Sequence, residues 1–236
     1  MQTVSLSFYR FDRWSTRLWA LMMMGAARLP LSRMAGLEFW KLCGSGTGEG
    51  FTPRPNPAVC AILCTWRDEA TARRALAEEP LFRRYRNRAA EHWTVFLGTT
   101  SVRGQWSGRT PFAAEAPSAG DGPLAALTRA TVKPWVAPWF WRREPDVSRA
   151  IGADPSVIFK IGIGELPLVQ QITFSIWPDR ASMARFARAD GPHARAVAAV
   201  REGQWFREEL YARFAILGDV GTWDGQRPLA RIGRQT

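Results

Sequence analysis

The chain carries two histidines, His92 and His193, and three cysteines, Cys43, Cys60 and Cys64. That inventory excludes a multi-histidine metal centre and any hydrolase that needs several imidazoles. No G-x-S-x-G, H-E-x-x-H or Walker A pattern is present. Cys60 and Cys64 stand four apart in an apolar run. Three thiols at this spacing match neither a disulfide framework nor a zinc site, and they suit a reducing compartment. The run Gly44-Ser45-Gly46-Thr47-Gly48-Glu49-Gly50 invites a phosphate-loop reading. No Lys-Ser/Thr follows it and no helix pattern opens there, so it reads better as a flexible connection between two strands.

His193 lies in Asp190-Gly191-Pro192-His193-Ala194. The Gly-Pro pair interrupts a helical pattern, and the histidine opens the next stretch. An imidazole at such a break can aim one ring nitrogen at a metal. It can equally be a helix-terminal or core histidine bonded to backbone. His92 follows Glu91 beyond the basic run Arg83 to Arg88 and reads as a surface histidine. An iron porphyrin needs only one protein ligand, with basic or polar groups for its propionates, and the chemistry is then the porphyrin's. Two histidines suffice for that. His193 is the candidate catalytic residue and axial ligand, ahead of a Cys43 thiolate. Lys41 and Lys160 each sit in an otherwise apolar strand at matching places of an internal repeat. A lysine there needs a partner, either a cofactor carboxylate or Glu38 and Glu165.

The elements that position these residues come in two similar sets. Thr65-Trp66-Arg67-Asp68-Glu69-Ala70-Thr71 matches Ile176-Trp177-Pro178-Asp179-Arg180-Ala181-Ser182. Asp68 and Asp179 each stand where a strand pattern gives way to a helical one, as N-caps do. Upstream, Phe39 to Leu42 resembles Ile158 to Ile161; downstream, Trp93 to Gly98 resembles Arg213 to Gly218. Strands are expected at Val4–Phe11, Leu37–Cys43, Ala58–Thr65, Trp93–Thr99, Leu127–Lys133, Ile158–Gly164, Val169–Trp177 and Tyr211–Leu217. Helices are expected at Trp14–Arg28, Glu69–Ala90, Pro138–Ile151 and Ala181–Glu202. The order is β-α-β-β-α-β twice over. The expected fold is α+β: tandem ferredoxin-like repeats over 1–112 and 124–223, joined by a linker at 113–123 rich in Ala, Pro, Gly and Ser, with a flexible tail at 224–236. Each four-stranded sheet has helices on one face and must cover the other. Two copies can do this mutually, as an intramolecular dimeric α/β-barrel with a cavity between or beside the sheets.

The 236 residues are 46% hydrophobic and 22% charged, with a net charge of +11 carried almost wholly by arginine. That is a globular composition with a surface that favours anionic partners. The chain opens on a strand pattern, which speaks against a leader peptide. The most apolar stretch, Leu18 to Ala27, is about half the ~20 residues a membrane span requires. A chain that lies against a membrane without crossing it is expected. Twelve tryptophans are present, and Trp135, Trp139 and Trp141 crowd together with Phe140. Such rings suit membrane interfaces and apolar ligand pockets; they also simply fill cores.

Several stretches taken together resemble the spheroidene monooxygenase family of carotenoid biosynthesis. They are Phe39 to Gly48, Pro134 to Trp141, Phe159 to Glu165, Gly191 to Ala194 and Trp205 to Phe214, within a likeness running from about Met1 to Thr222. The resemblance implies a haem-dependent monooxygenase at the photosynthetic membrane of purple bacteria. It implies oxidation of acyclic, methoxylated carotenoids such as spheroidene at C-2 to the ketocarotenoid, with O₂ and reduced ferredoxin. The protein is then cytoplasmic and peripherally associated with that membrane. Its basic surface suits an acidic ferredoxin and anionic lipid, and Trp135, Trp139, Phe140 and Trp141 suit contact with the interface and a polyene. No nucleic-acid partner is expected. The rivals are a haem-binding or haem-degrading barrel without carotenoid activity, a basic tandem RNA-binding protein, although the RNP1 pattern is missing, and a non-enzymatic interaction module.

Overall fold

The computed structural model describes residues 1–48, 50, 52, 54–117, 120–139, 141, 156–166, 169–188, 203 and 205–230. Eight strands appear in chain order: β1 (Thr3–Arg10), β2 (Leu37–Gly46), β3 (Pro55–Trp66), β4 (Glu91–Gly104), β5 (Leu124–Val132), β6 (Phe159–Gly164), β7 (Gln170–Trp177) and β8 (Phe206–Gly221). They close into one antiparallel barrel in the order β1-β3-β2-β6-β7-β5-β8-β4. Within the first four strands the order is β4-β1-β3-β2, and within the last four it is β8-β5-β7-β6. The two sets join through a long β4–β8 ladder and a short β2–β6 contact at Gly44↔Gly164 and Ser45↔Ile163. Ser45 adds to that seam by donating its hydroxyl to the Gly162 carbonyl at 2.8 Å.

Helices α1 (Trp14–Ala26), α2 (Arg28–Ser32), α3 (Glu69–Glu78) and α4 (Pro80–Arg88) belong to the first half, and α5 (Arg180–Arg188) to the second. Asp68 caps α3 by accepting the Thr71 N–H at 2.7 Å, and Asp179 accepts the Ser182 N–H at 2.6 Å. The helix expected over Glu69–Ala90 is divided at Pro80. A proline disfavours helical backbone in the residue before it. Glu79 is accordingly extended at ψ 131°, and Pro80 opens a new helix at the position where its missing N–H costs nothing.

Strand periodicity sorts side chains into two cores. Residues from all eight strands face the barrel axis, among them Phe8, Phe39, Leu63, Trp93, Leu127, Phe159, Phe174 and Phe214. Phe159 lies 4.6 Å from Trp93 and 5.6 Å from Phe8, centroid to centroid. Rings pack the space between the two sheets, and a cleft lined by Val59, Phe159, Ile161 and Trp223 opens at one end of it. The sheet faces opposite the helices lie inside the barrel. The second core lies between the first half's sheet and its helices: Tyr9, Leu42, Ile62, Cys64 and Phe96 against Met23, Leu81, Phe82 and Tyr85.

The strand registers also correct two alignments made from sequence. Phe39 pairs across from Thr65 and Phe159 across from Ile176, so Phe39 corresponds to Phe159 and Trp40, not Lys41, to Lys160. Leu97 lies beside Val4 and Phe214 beside Ala125, so Leu97 corresponds to Phe214, not Leu217. A slip of one residue sends a side chain to the other face of a sheet. Lys41 and Lys160 consequently sit on opposite faces.

Candidate functional site

One end of the barrel is closed by Trp106, which sits just past β4 and is fully buried. Its indole N–H donates to Glu165 Oε1 at 2.6 Å, and Lys41 Nζ donates to Glu165 Oε2 at 2.6 Å and to Ser107 Oγ at 2.8 Å. Lys41 is thus directed at Glu165 and has the Trp106 ring 5.7 Å away. Below it, the buried Arg129 pairs with Glu208. Glu208 also accepts the N–H groups of Ser107 at 3.0 Å and Gly108 at 2.7 Å. Burial alone would raise the Glu208 carboxyl; the Gly108 and Ser107 N–H groups and the Arg129 charge outweigh it and hold the group below its usual range.

The other end repeats this plan. Trp223 follows β8, and the Glu91 carboxylate accepts the N–H groups of Asp224 at 3.0 Å and Gly225 at 2.7 Å. Arg10 pairs with Glu91 at 3.0 Å and with Asp224 at 2.7 Å, its guanidinium 4.3 Å from the Trp223 ring centre. Both turns are two-residue hairpins closed by antiparallel bridges, Trp106↔Arg109 and Trp223↔Gln226. Their central residues all have positive φ: 55° and 69° at Ser107 and Gly108, 56° and 70° at Asp224 and Gly225. That is the primed hairpin geometry that favours a Gly at the second position. The recurring segments Gly104-Gln105-Trp106-Ser107-Gly108 and Gly221-Thr222-Trp223-Asp224-Gly225 are the sequence signal that betrays these matched plugs, and the motif reading above missed them. The charges of each plug are directed at their neighbours, so both work as locks for the barrel ends. The plug at 223–226 also ties down the start of the segment expected to be a flexible tail.

A cleft of about 480 Å³ opens beside the Trp223 plug, lined among others by Arg10, Ser45, Asn56, Lys160, Trp223 and Gln226. Lys160 links this cleft to the outward face of the second half's sheet. Cross-strand pairing places Lys160, Ser175, Ala126 and Arg213 in one row of that face, and Gly162, Thr173, Thr128 and Tyr211 in the next. The corresponding rows of the first half are Trp40, Cys64, Ser5 and Phe96, then Leu42, Ile62, Ser7 and Thr94. In the first half these side chains are packed under α1, α3 and α4. In the second half the floor is small and polar, and Thr128 stays exposed even though β5 is flanked on both sides by strands. Within the Lys160 row Ser175 is buried and accepts the Trp177 indole N–H at 2.9 Å, the Lys160 ammonium is buried, and Arg213 is exposed.

His193 and Phe140 lie outside the described residues, as does most of the segment between β5 and β6. Trp135 and Trp139 are exposed, at 69% and 52%, and Trp141 is half-buried. His92 stacks at 6.5 Å on Tyr9 on the helix-covered side of the first half, and burial and then Arg86 lower its basicity. All three cysteines are buried. Burial, then the Glu165 charge, pushes the Cys43 thiol well up, and burial pushes Cys60 up to about 12. Cys43 packs among the side chains that face the barrel axis. Among the described residues no cluster of three His, Cys, Asp or Glu side chains could hold a bare metal ion, and no helix is long and apolar enough to cross a membrane.

No protein-family model matches the chain. Aldoxime dehydratases are among the solved structures that share the barrel. An aldoxime dehydratase superposes with a TM-score of 0.59 at 10% identity, over 91% of this chain and 82% of that one. A second, crystallised with butyraldoxime, gives 0.58 at 11% identity, over 91% and 80%. At such identities the likeness concerns the fold alone. Sequence relatives are far nearer. The spheroidene monooxygenase of Cereibacter sphaeroides is 54% identical over 97% of this chain and 71% of its own length. That of Rhodobacter capsulatus is 50% identical over 98% and 96%, and that of Rubrivivax gelatinosus 33% identical over 90% and 82%. Identity at this level along nearly the whole barrel means that the chain belongs to the spheroidene monooxygenase family.

Proposed function

We propose that the chain is a haem-dependent monooxygenase that oxidises acyclic carotenoids such as spheroidene at C-2, with O₂ and reduced ferredoxin, to the ketocarotenoid. The observation that carries the reading is the 54% identity to a spheroidene monooxygenase over 97% of the chain. The strand order, repeated in the two halves, supports tandem ferredoxin-like repeats closed as an intramolecular dimeric barrel.

On the outward face of the second half a porphyrin would lie over Ala126, Thr128 and Thr173, beside Ser175, which is buried under the Trp177 indole. Lys160 and Arg213, at the ends of one row, would meet propionates; Lys41, directed at Glu165 on the barrel side, would not. His193 is proposed as the axial ligand. Bound haem would supply the activation of O₂. The chain's part is to hold the carotenoid end and to exclude water, with Trp135, Trp139, Phe140 and Trp141 against the polyene. Each of two hydroxylations at one carbon consumes one O₂, two electrons and two protons and releases one water. The resulting geminal diol loses water to give the ketone. The arginine-rich surface raises the encounter rate with an acidic ferredoxin, and the protein works peripherally on the cytoplasmic side of the photosynthetic membrane.

Titrating the purified protein with haemin tests the cofactor. A Soret band saturating at one haem per chain is expected, lost in Thr128→Trp and kept in Thr128→Ser, both with unchanged circular dichroism. The loaded protein, given spheroidene, O₂ and reduced ferredoxin, should yield ketone whose oxygen derives from O₂. No haem uptake together with no oxidised carotenoid would overturn the reading.

A further inference from the structure

Helix α1 presents a face that the barrel does not use. Ala20 and Met23 turn inward, with Trp19 and Met24 packed beside them. Positions 14, 18, 21, 22 and 25 share the opposite side at helical spacing. There Trp14 is 74% exposed, Leu21 66%, Met22 59% and Leu18 51%, and Leu29 of α2 continues the stripe at 57%. Of the ten large apolar side chains that stand exposed among the described residues, these are five. Scattered single exposures are ordinary, but a contiguous stripe marks a binding surface.

The rim identifies what binds. Arg13, Arg17, Arg28 and Arg33 frame the stripe, and no Asp or Glu occurs from Arg13 to Leu37. Arg17 folds back to donate to the Phe11 carbonyl at 3.0 Å and Arg28 to that of Met24 at 3.3 Å, so their stems lie along the helix beside the apolar stripe. An apolar arc bounded only by arginines is what a helix lying in the plane of an anionic bilayer requires: the side chains enter the acyl boundary and the guanidinium groups meet phosphates.

We infer that the outer face of α1 and α2, Trp14, Leu18, Leu21, Met22 and Leu29 with their arginine rim, is the surface by which this protein docks on anionic lipid. The inference deepens the proposed membrane setting of carotenoid oxidation. The contact is distinct from the Trp135 segment, which follows β5; β4 and β8 separate β5 from β1 around the barrel.

The test is co-sedimentation of the whole protein with vesicles of phosphatidylglycerol and phosphatidylcholine, and with vesicles of phosphatidylcholine alone. Binding should require the anionic lipid and weaken with salt. Leu18→Glu with Leu21→Glu should weaken it by about tenfold or more, since each leucine withdrawn from hydrocarbon forfeits its transfer energy. The melting curve and turnover of detergent-dispersed spheroidene should be unchanged, because both side chains are exposed and remote from the proposed floor. Trp135→Ser with Trp139→Ser should leave vesicle affinity within about twofold, as a contact made elsewhere predicts. Unchanged vesicle binding in the leucine variant overturns the inference. So does a sedimentation-velocity shift from dimer to monomer in that variant, which would make the face an interface between two copies. Wild-type protein that turns over dispersed spheroidene but ignores vesicles sinks the docking surface alone. Lipid binding without carotenoid oxidation supports the surface and sinks the proposed function.

Discussion

Arg129 and Glu208 form an ion pair across adjacent strands in which the guanidinium is 1% exposed and the carboxylate 22%. The same carboxylate receives two N–H groups of the 106–109 hairpin. Glu208 therefore ties a buried charge, a strand and the Trp106 plug together. Glu91 has the matching place at the other end, but its cation, Arg10, is 33% exposed.

The two glutamates should differ in weight for that reason. Glu208→Ala leaves a buried guanidinium without its carboxylate and should cost on the order of 3 kcal/mol. Glu91→Ala exposes a cation that water already reaches and should cost about 1–2 kcal/mol, mostly from the two lost hairpin bonds. Urea denaturation of both variants checks this, and equal costs would contradict the burial argument.

Acid stability should carry the Glu208 signature. Its folded carboxyl lies below the ordinary glutamate value of about 4.3. Between those two values the unfolded chain holds a proton that the folded chain lacks. The stabilisation is complete above pH ~4.3 and is lost as pH falls through the lowered folded value. Asp68 and Asp179, held low first by the Thr71 and Ser182 N–H groups, act in the same direction. Thermal melts of Glu208→Gln against wild type should converge as pH drops below 4, and parallel acid limbs would refute the assignment.

Gly104 and Gly221 end β4 and β8 at φ 93° and 94°. A Cβ at Gly104 would stand 2.1 Å from the Glu209 carbonyl, and one at Gly221 2.2 Å from that of His92. Either alanine substitution combines a strained φ with a backbone collision and should cost about 2 kcal/mol or more. Gly225→Ala meets nothing within 4 Å and bears only the φ penalty. Melting temperatures should rank accordingly.

The thiols should be silent in the folded protein. Burial keeps Cys43, Cys60 and Cys64 protonated and out of reach. An aromatic disulfide reagent should label none of them in buffer and all three in denaturant. Rapid labelling of Cys43 in buffer would mean that the Trp106 end opens.

The strand pattern, the two aspartate caps and the alternation of α and β were legible because each depends on neighbours a few residues away. Asp68 and Asp179 stand three residues before the N–H groups they accept. The register of β2 and β6 was not legible: a one-residue difference in pairing separates Lys41 from Lys160 by the thickness of the sheet, and similarity of Phe-Trp-Lys to Ile-Phe-Lys carries no information about it. The paired plugs were present as two Gly-x-Trp-x-Gly segments, yet their glutamates come from strand positions far along the chain.

By itself the sequence determined the kinds of element and their order, the basic surface and the family, because propensity, periodicity and identity are properties of local strings; that all three thiols are buried came from the structure. The tertiary structure decided which face each side chain occupies, that rings pack the barrel's interior, that a small polar floor lies outside the second half, and that α1 keeps an apolar stripe in solvent. Those outcomes depend on which strands pair and in what register, and long-range pairing is set by the packing of the whole barrel.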